Sequence, residues 1–179
     1  YCFKHDKTAG LEYADMELND LANYERAEEI VRREVLDYHI NDADGILKLG
    51  DVFLEWGTEK DPEKLELARQ QYATLIQLYK ANDLYLSRMM RYFIRTDNLR
   101  QVLQVKPSFE GREKSLSWQD WTELSGYLLD KVYGPLSASE EYLRYQIEGL
   151  RGLLIQAVKS NPDNPIAQYN LGRYFILSN

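Results

Sequence analysis

The stretch SNPDNPIAQYNLGRYF, residues 160–175, decides the fold class of this chain. Two prolines lie in its polar first half, and an apolar stripe at helical spacing follows, with Leu171, Gly172 and Phe175 on one face. A glycine near the middle of a helix costs up to ~1 kcal/mol relative to alanine. We therefore expect a second helix to pass very close to Gly172, and we expect the same spacing to recur elsewhere.

Composition limits the classes of protein that the chain can represent. Its 179 residues are enough for one or two domains with a sizeable core, and 44% of them are apolar, as in soluble globular proteins. The formal net charge of -7 argues against a nucleic-acid partner, which needs a basic face. No apolar run approaches the ~18 residues of a membrane span. We therefore expect no nucleic-acid binding and no direct membrane insertion.

The first residues give little information about compartment. The chain begins with Tyr1 rather than Met, so we expect a fragment or a processed form, from which a targeting signal could have been removed. The single cysteine, Cys2, excludes an internal disulfide and leaves the redox compartment undetermined. A cytoplasmic and a periplasmic location both stay open.

Apolar residues recur at helical spacing almost throughout the chain. Residues 21–36 and 64–79 each place one apolar stripe on a helix, and neither segment shows the two-residue alternation of a half-buried strand. Pro62 suits the first turn of a helix, and Ser137 with Glu140 has the spacing of a capping box. The sequence therefore predicts an all-α fold.

A residue suited to close helix packing, with a large apolar residue just before it and another three residues after it, recurs along the chain. The series is Asp15, Gly50, Met90, Ser125 and Gly172, with gaps of 35, 40, 35 and 47 residues. Each gap is a unit of about 34 residues plus an insertion at a predicted loop. A second close-packing residue is expected 12 residues later, and Ala27, Ala68, Val102 and Leu150 occupy that place, two of them after allowance for the insertions.

This pattern resembles the tetratricopeptide-repeat family, and the resemblance covers nearly the whole chain. The family pattern is met best by Leu150, Leu154, Ala157, Pro162, Leu171, Gly172 and Phe175. Gln168 departs from it, Met90 replaces the small residue of the third repeat, and Pro107 cuts the second helix of that repeat short. The resemblance implies a right-handed superhelical solenoid of antiparallel helix pairs, in which Pro162 ends one helix and Gly172 lies where a neighbouring helix crosses.

The resemblance also implies the domain organisation. After an N-terminal tail, 1–8, a single solenoid covers 9–179, with repeats at about 9–42, 43–82, 83–116 and 117–164 and an orphan helix at 165–179. The orphan helix carries Leu171, Phe175, Ile176 and Leu177 but has no partner helix after it. We expect the native protein to continue beyond Asn179, or this end to dock onto another chain, including a second copy.

No residue pattern in the sequence supports a catalytic function. Cys2 and His5 have the spacing of half a zinc site, but no second pair of ligands follows. His39 lies at a predicted turn between helices, and no serine or cysteine nucleophile is paired with it. There is no Gly-rich phosphate loop. We predict a binding function without catalysis, metal or cofactor.

A binding groove is implied by the resemblance, because in this family the first helix of each repeat lines a concave surface that holds extended peptides. The groove positions carried over to this chain are Lys48, Asp51, Glu55, Arg88, Arg91, Arg95, Glu123, Gly126, Asp130, Asn170, Arg173 and Leu177. Asn170 matches an asparagine that many family members use to hold the backbone of a ligand. The clamp of chaperone-binding members is not reproduced, because Leu47, Asp51 and Leu84 occupy key positions.

Two interpretations of the arginines stay open. Arg88, Arg91 and Arg95 form a stripe on one helix that could bind an acidic segment of a protein or peptide partner through bidentate pairs. Alternatively they pair internally, since Asp51 and Glu55 stand level with Arg91 and Arg95 one repeat earlier, and Glu123 stands level with Arg88 one repeat later. Exposed pairs of that kind contribute only ~0–1 kcal/mol each.

The many aromatic residues are expected in the core rather than on a stacking platform for nucleic acid or sugar. Tyr24, Tyr72 and Trp121 fall at buried repeat positions, and we expect Trp118 to begin a helix and to pack onto its first turn.

The sequence thus predicts a protein-interaction scaffold. One alternative is a regulatory or docking domain of a larger enzyme, and another is a structural module that self-assembles through its uncapped C-terminal helix. The segments KLGDVFLEWGTE and RMMRYFIRTDNL also resemble repeat proteins of spirochaete periplasmic flagellar collars. That resemblance implies a place in a periplasmic flagellar assembly.

Overall fold

The computed structural model describes residues 6–112, 114–136 and 141–178. Within these ranges the regular structure is helical and contains no strand, which confirms the predicted all-α class. The predicted capping box at Ser137 and the Cys2–His5 pair lie outside the described residues. The chain divides into two compact units, one up to Tyr92 and one from Phe93 onward. The single solenoid over 9–179 stays a prediction.

The first unit consists of consecutive helices joined by short turns. They are α1 (Lys7–Asn19), α2 (Tyr24–Ile30) continued by a π-helical turn (Val31–Leu36), α3 (Ala43–Glu59), α4 (Lys64–Tyr79) and α5 (Asp83–Arg95), in which the division between the units falls. The largest packed pair is α3 with α4, and α1 packs against α2.

The second unit contains shorter helices around one long one. They are α6 (Leu99–Val105) continued by a 3₁₀ turn (Lys106–Phe109), α7 (Trp118–Tyr133), α8 (Glu141–Arg144), α9 (Leu150–Ser160) and α10 (Pro165–Leu177). Helix α7 packs against α9, and α10 packs against both of them. As predicted, α6 ends just before Pro107, and α9 ends just before Pro162.

Side-chain caps fix where several helices begin. Asp42 accepts a hydrogen bond from the Gly45 N–H at the start of α3, and Asn164 accepts one from the Ile166 N–H at the start of α10. Ser117 and Asp120 form a reciprocal capping box that starts α7. The first residue of α7 is therefore Trp118, in agreement with the helix start expected there.

Most of the predicted close-packing residues lie in the cores of the two units, but Asp15 is only partly buried and Gly172 is exposed. Ala27, Ala68 and Val102 have no exposed surface, and Leu150 is nearly as buried. Gly50, Met90, Ser125 and Ala157 are buried as well. The 34-residue spacing therefore identified true core positions, although the outermost stripe residues, Leu21 and Leu78, are exposed.

Gly50 is the position at which the close-approach prediction holds. A Cβ added there would lie 2.5 Å from the Cε1 atom of Tyr72 on α4. The Tyr72 hydroxyl donates a hydrogen bond to Asp51 Oδ1 at 2.8 Å. The ring is therefore fixed by its packing against Gly50 and by this hydrogen bond at its hydroxyl. Burial, followed by the Asp51 carboxylate, raises the pKa of Tyr72 well above its usual value. The phenol therefore stays protonated and continues to donate.

The same prediction is wrong for Gly172. A Cβ added to Gly172 would meet nothing within 4 Å among the described residues, and the glycine is exposed. Its counterpart Gly50 contacts the helix that follows its own helix, whereas α10 is the last described helix. Instead α10 buries Ala167 and Asn170, and Leu171 and Phe175 are only partly covered.

The two glycines give a matched test of the packing. We expect Gly50→Ala to lower the free energy of unfolding by about 1–3 kcal/mol, because the buried Tyr72 ring cannot move aside. Gly172→Ala should raise it by up to about 1 kcal/mol, because alanine is the better helix former and has free space. Urea denaturation followed by circular dichroism measures both. A loss of stability in Gly172→Ala contradicts the open environment of Gly172.

Candidate functional site

Ion pairs occupy the predicted groove positions of the first unit. The Lys48 ammonium contacts the Asp15 carboxylate, and Arg88 Nε lies 2.9 Å from Asp51 Oδ1. Asp51 therefore accepts from both Arg88 and the Tyr72 hydroxyl. The Arg88–Asp51 pair is largely buried, with side-chain exposures of 20% and 17%. The Asp51 carboxylate therefore contacts side chains of both α5 and α4 and holds these two helices against α3.

Two further ion pairs occupy the groove positions of the second unit. Arg95 Nε lies 2.7 Å from Glu123 Oε1, and Arg173 Nη2 lies 2.9 Å from Asp130 Oδ1. The register differs from the expected one, in which Arg91 stood level with Asp51 and Glu123 with Arg88. The Arg88–Asp51 and Arg173–Asp130 partners are offset by about one helical turn in the repeat, and the Arg95–Glu123 partners are offset by about two turns.

A cavity of about 440 Å³ in the second unit brings several predicted groove residues together. It lies between α7 and α10, with Arg95 of α5 at its margin. Its lining residues are Arg95, Trp118, Gln119, Thr122, Glu123, Gly126, Asp130, Asn164, Ile166 and Asn170. Of these, Arg95, Glu123, Gly126, Asp130 and Asn170 were predicted from the resemblance. We call this cavity the α7–α10 groove.

Two asparagines of α10 line the groove, and both are buried. Asn164 is satisfied, because its Nδ2 donates to Thr122 Oγ1 at 3.1 Å and its Oδ1 accepts from the Ile166 N–H at 3.0 Å. Asn170 is 7% exposed, and its amide makes no hydrogen bond within the described part of the chain, but neither of its amide atoms is cut off from solvent. The amide therefore lines the groove as a polar group that solvent reaches and that a ligand can bind without displacing a partner in the chain.

Gly126 provides the space that the Asn170 amide occupies. A Cβ added to Gly126 would lie 2.8 Å from Asn170 Nδ2. A larger residue at this position of α7 would require the Asn170 amide to shift. Gly126 and Asn170 are therefore in direct contact across the groove.

Two apolar lining residues were missed at the sequence level. Trp118 is 41% exposed and Ile166 is 61% exposed, so the core assignment of Trp118 is wrong. Trp118 directly follows the capping residue Ser117, and Ile166 lies two residues after the capping residue Asn164. Both residues lie off the buried stripes of their helices, and that spacing was the sequence signal for their exposure. Tyr24, Tyr72 and Trp121 are buried as predicted, but Tyr145 and Tyr169 are exposed, so core packing explains only some of the aromatic residues.

Among the described residues, no three or more His, Cys, Asp or Glu side chains are grouped so that they could hold a metal ion. None of the described helices is both long enough and apolar enough to cross a membrane.

A comparison of the chain with protein-family models, with curated proteins and with solved structures found no match in any of the three. The tetratricopeptide resemblance therefore rests on the residues of this chain alone.

The two asparagines give a second matched test. We expect Asn170→Leu to change the free energy of unfolding by less than about 1 kcal/mol, because it breaks no hydrogen bond within the described part of the chain and keeps a similar side-chain volume. Asn164→Leu should lower the free energy of unfolding by about 1–3 kcal/mol, because it breaks the Thr122 bond and the cap of α10. Urea denaturation of both variants measures the difference. Equal destabilisation by the two substitutions contradicts an Asn170 amide that makes no structural hydrogen bond.

Proposed function

We propose that this protein is an interaction scaffold, built from tetratricopeptide-like helix pairs, that binds an extended segment of a partner protein in the α7–α10 groove. The observation that carries the proposal is the Asn170 amide, which lines the groove, is reached by solvent there and makes no hydrogen bond within the described part of the chain. The family resemblance supports it independently, because it assigns to Asn170 the role of holding a ligand backbone.

A primary amide is chemically suited to a peptide backbone. It presents one carbonyl acceptor and two N–H donors, and a peptide group presents the matching N–H donor and carbonyl acceptor. Binding of a peptide would therefore satisfy Asn170 at the point where the folded chain alone does not. The position of the amide is well defined, because Gly126 accommodates it and Asn164 anchors the start of the same helix.

The ion pairs bear on the choice between the two interpretations of the arginines. Arg88 and Arg95 each have a carboxylate partner within 3 Å of their Nε atoms. An acidic ligand would have to displace Asp51 or Glu123, and it would gain little by exchanging one carboxylate for another. The geometry thus favours internal pairing of these two arginines over a site for an acidic segment.

Selection from a random peptide library tests the proposal. The full chain is used to select twelve-residue peptides displayed on phage, and the recovered peptides are titrated against wild type and Asn170→Leu. We expect the Asn170→Leu variant to bind at least about tenfold more weakly, because the backbone amide of the peptide loses its partner. Tyr145→Ala, at an exposed site outside the groove, serves as the control and should bind as wild type does. A selection without any Asn170-dependent peptide contradicts the proposal.

Self-association is a second candidate function, favoured by the exposed apolar residues at the C-terminal end of α10. Ile176 is 78% exposed, and Phe175 and Leu177 beside it are exposed as well. The proposed partner at this surface is a second copy of the chain. A role as a docking domain of a larger enzyme and a place in a periplasmic flagellar assembly stay predictions from the sequence.

Sedimentation velocity over a concentration series tests the second candidate. If α10 mediates self-association, Ile176→Glu should shift the chain to monomer, because a carboxylate cannot be buried in an apolar contact without a partner. Ile40→Glu is the matched control, since Ile40 is 80% exposed and lies far along the sequence from α10. A wild-type chain that is monomeric at all concentrations contradicts this candidate.

A further inference from the structure

We infer that the α7–α10 groove takes an extended, uncharged peptide segment and anchors one large apolar side chain of that segment between Trp118 and Ile166. The inference rests on the proposed peptide-binding function and names the class of segment that is bound. It differs from the acidic ligand considered at the sequence level, and three features of the groove carry it.

The first feature is the balance of charge in the groove. Glu123 is paired with Arg95 at 2.7 Å, and Asp130 is paired with Arg173 at 2.9 Å. The charged residues that line the cavity itself are one arginine and two carboxylates. An acidic ligand therefore meets no excess of positive charge, and it would compete with the two carboxylates for the arginines. The electrostatics favour a segment without charge.

The second feature is that the polar groups between Trp118 and Ile166 are already satisfied. The Thr122 hydroxyl donates to the Trp118 carbonyl at 2.8 Å and accepts from Asn164 Nδ2. The Asn164 side-chain oxygen, Oδ1, accepts a hydrogen bond from the Ile166 N–H. An apolar side chain can cover these groups without leaving a donor or acceptor unpaired, so this end of the groove suits an apolar ligand group.

The third feature is the exposed apolar surface at that end. Trp118 and Ile166 both line the cavity, and each leaves a large part of its surface in water. Burying such surface against a ligand is favourable, at roughly 25 cal/mol per Å² of apolar area. Tryptophan is also among the residues that most often dominate binding energy at interfaces. The pair forms an anchor for one large apolar side chain.

The spacing along the two helices relates the anchor to Asn170. Ile166 and Asn170 are four residues apart on α10, and Trp118 and Gly126 are eight residues apart on α7, with Thr122 midway. Four residues of helix rise about 6 Å and eight rise about 12 Å, which are the lengths of about two and about four residues of extended chain. A peptide that pairs its backbone with Asn170 beside Gly126 therefore carries its anchored side chain about two to four residues away. The volume of about 440 Å³ lies within the usual range of ligand cavities.

The experiment uses peptides recovered by the phage selection on the full chain. We expect them to share one large apolar residue without enrichment of Asp or Glu. Titrations should show that Trp118→Ala and Ile166→Ala each weaken binding by roughly tenfold or more. Trp118→Phe should retain most of the affinity, because it keeps an aromatic ring. Tyr145→Ala again serves as the unchanged control, and urea denaturation verifies that every variant is folded.

A spectroscopic readout places the peptide at the anchor. Trp118 is more exposed than the buried Trp121 and the partly buried Trp56. We therefore expect peptide binding to shift the tryptophan emission of the wild type to shorter wavelength. The Trp118→Phe variant should bind without that shift. Binding to the wild type with unchanged emission overturns the anchor.

The remaining outcomes separate the inference from the function on which it rests. Peptides that are rich in Asp or Glu, depend on Asn170 and lose affinity in Arg95→Gln overturn the inference but leave the proposed function standing. Peptides that bind wild type and Asn170→Leu equally well overturn the proposed function, and with it the inference. A selection that recovers no peptide has the same consequence for both.

Discussion

The contact between Gly50 and the Tyr72 ring determines how the first unit is assembled. Because glycine has no side chain, α4 can approach α3 until the ring covers the α3 backbone, and this approach delivers the Tyr72 hydroxyl to Asp51. Asp51 in turn receives Arg88 from α5. The absence of a side chain at Gly50 therefore allows a network of polar contacts that joins α3, α4 and α5. The apolar core and this network depend on the same distance between α3 and α4.

A small residue also allows a close contact in the α7–α10 groove, but the group that makes the contact is different. Gly126 admits the Asn170 amide rather than an aromatic ring, and the amide acquires no partner among the described residues. In the first unit the close approach ends in a hydrogen bond between two side chains, whereas in the groove it leaves an amide that makes no hydrogen bond within the described part of the chain. The first contact is structural, and the second leaves a polar group available to the proposed ligand.

The sequence predicted those features that depend on local pattern. The buried positions of Ala27, Ala68 and Val102 follow from helical spacing, and the helix ends at Pro107 and Pro162 follow from backbone chemistry. Prediction from the sequence failed where the environment of a residue depends on which helix lies next to it. Gly172 has the same local pattern as Gly50 but no ring against it, and the exposure of Trp118 depends on where α10 lies. The register of the arginine pairs was missed for the same reason, because side-chain reach is set by packing.

The acidic composition of the chain and its arginine stripe are compatible once the ion pairs are considered. Carboxylates of neighbouring helices form ion pairs with Arg88, Arg95 and Arg173. These cationic residues at groove positions therefore hold helices together and do not give the surface a positive potential. The uncharged groups that line the groove and are not engaged in those pairs include the amides of Gln119 and Asn170 and the apolar side chains of Trp118 and Ile166. The Asn170 amide lines the groove and makes no hydrogen bond within the described part of the chain, so a ligand backbone can bind it without displacing a structural partner. The arginines, by contrast, are held by carboxylates, and this difference is the physical reason to look for recognition at the amide and not at the arginine stripe.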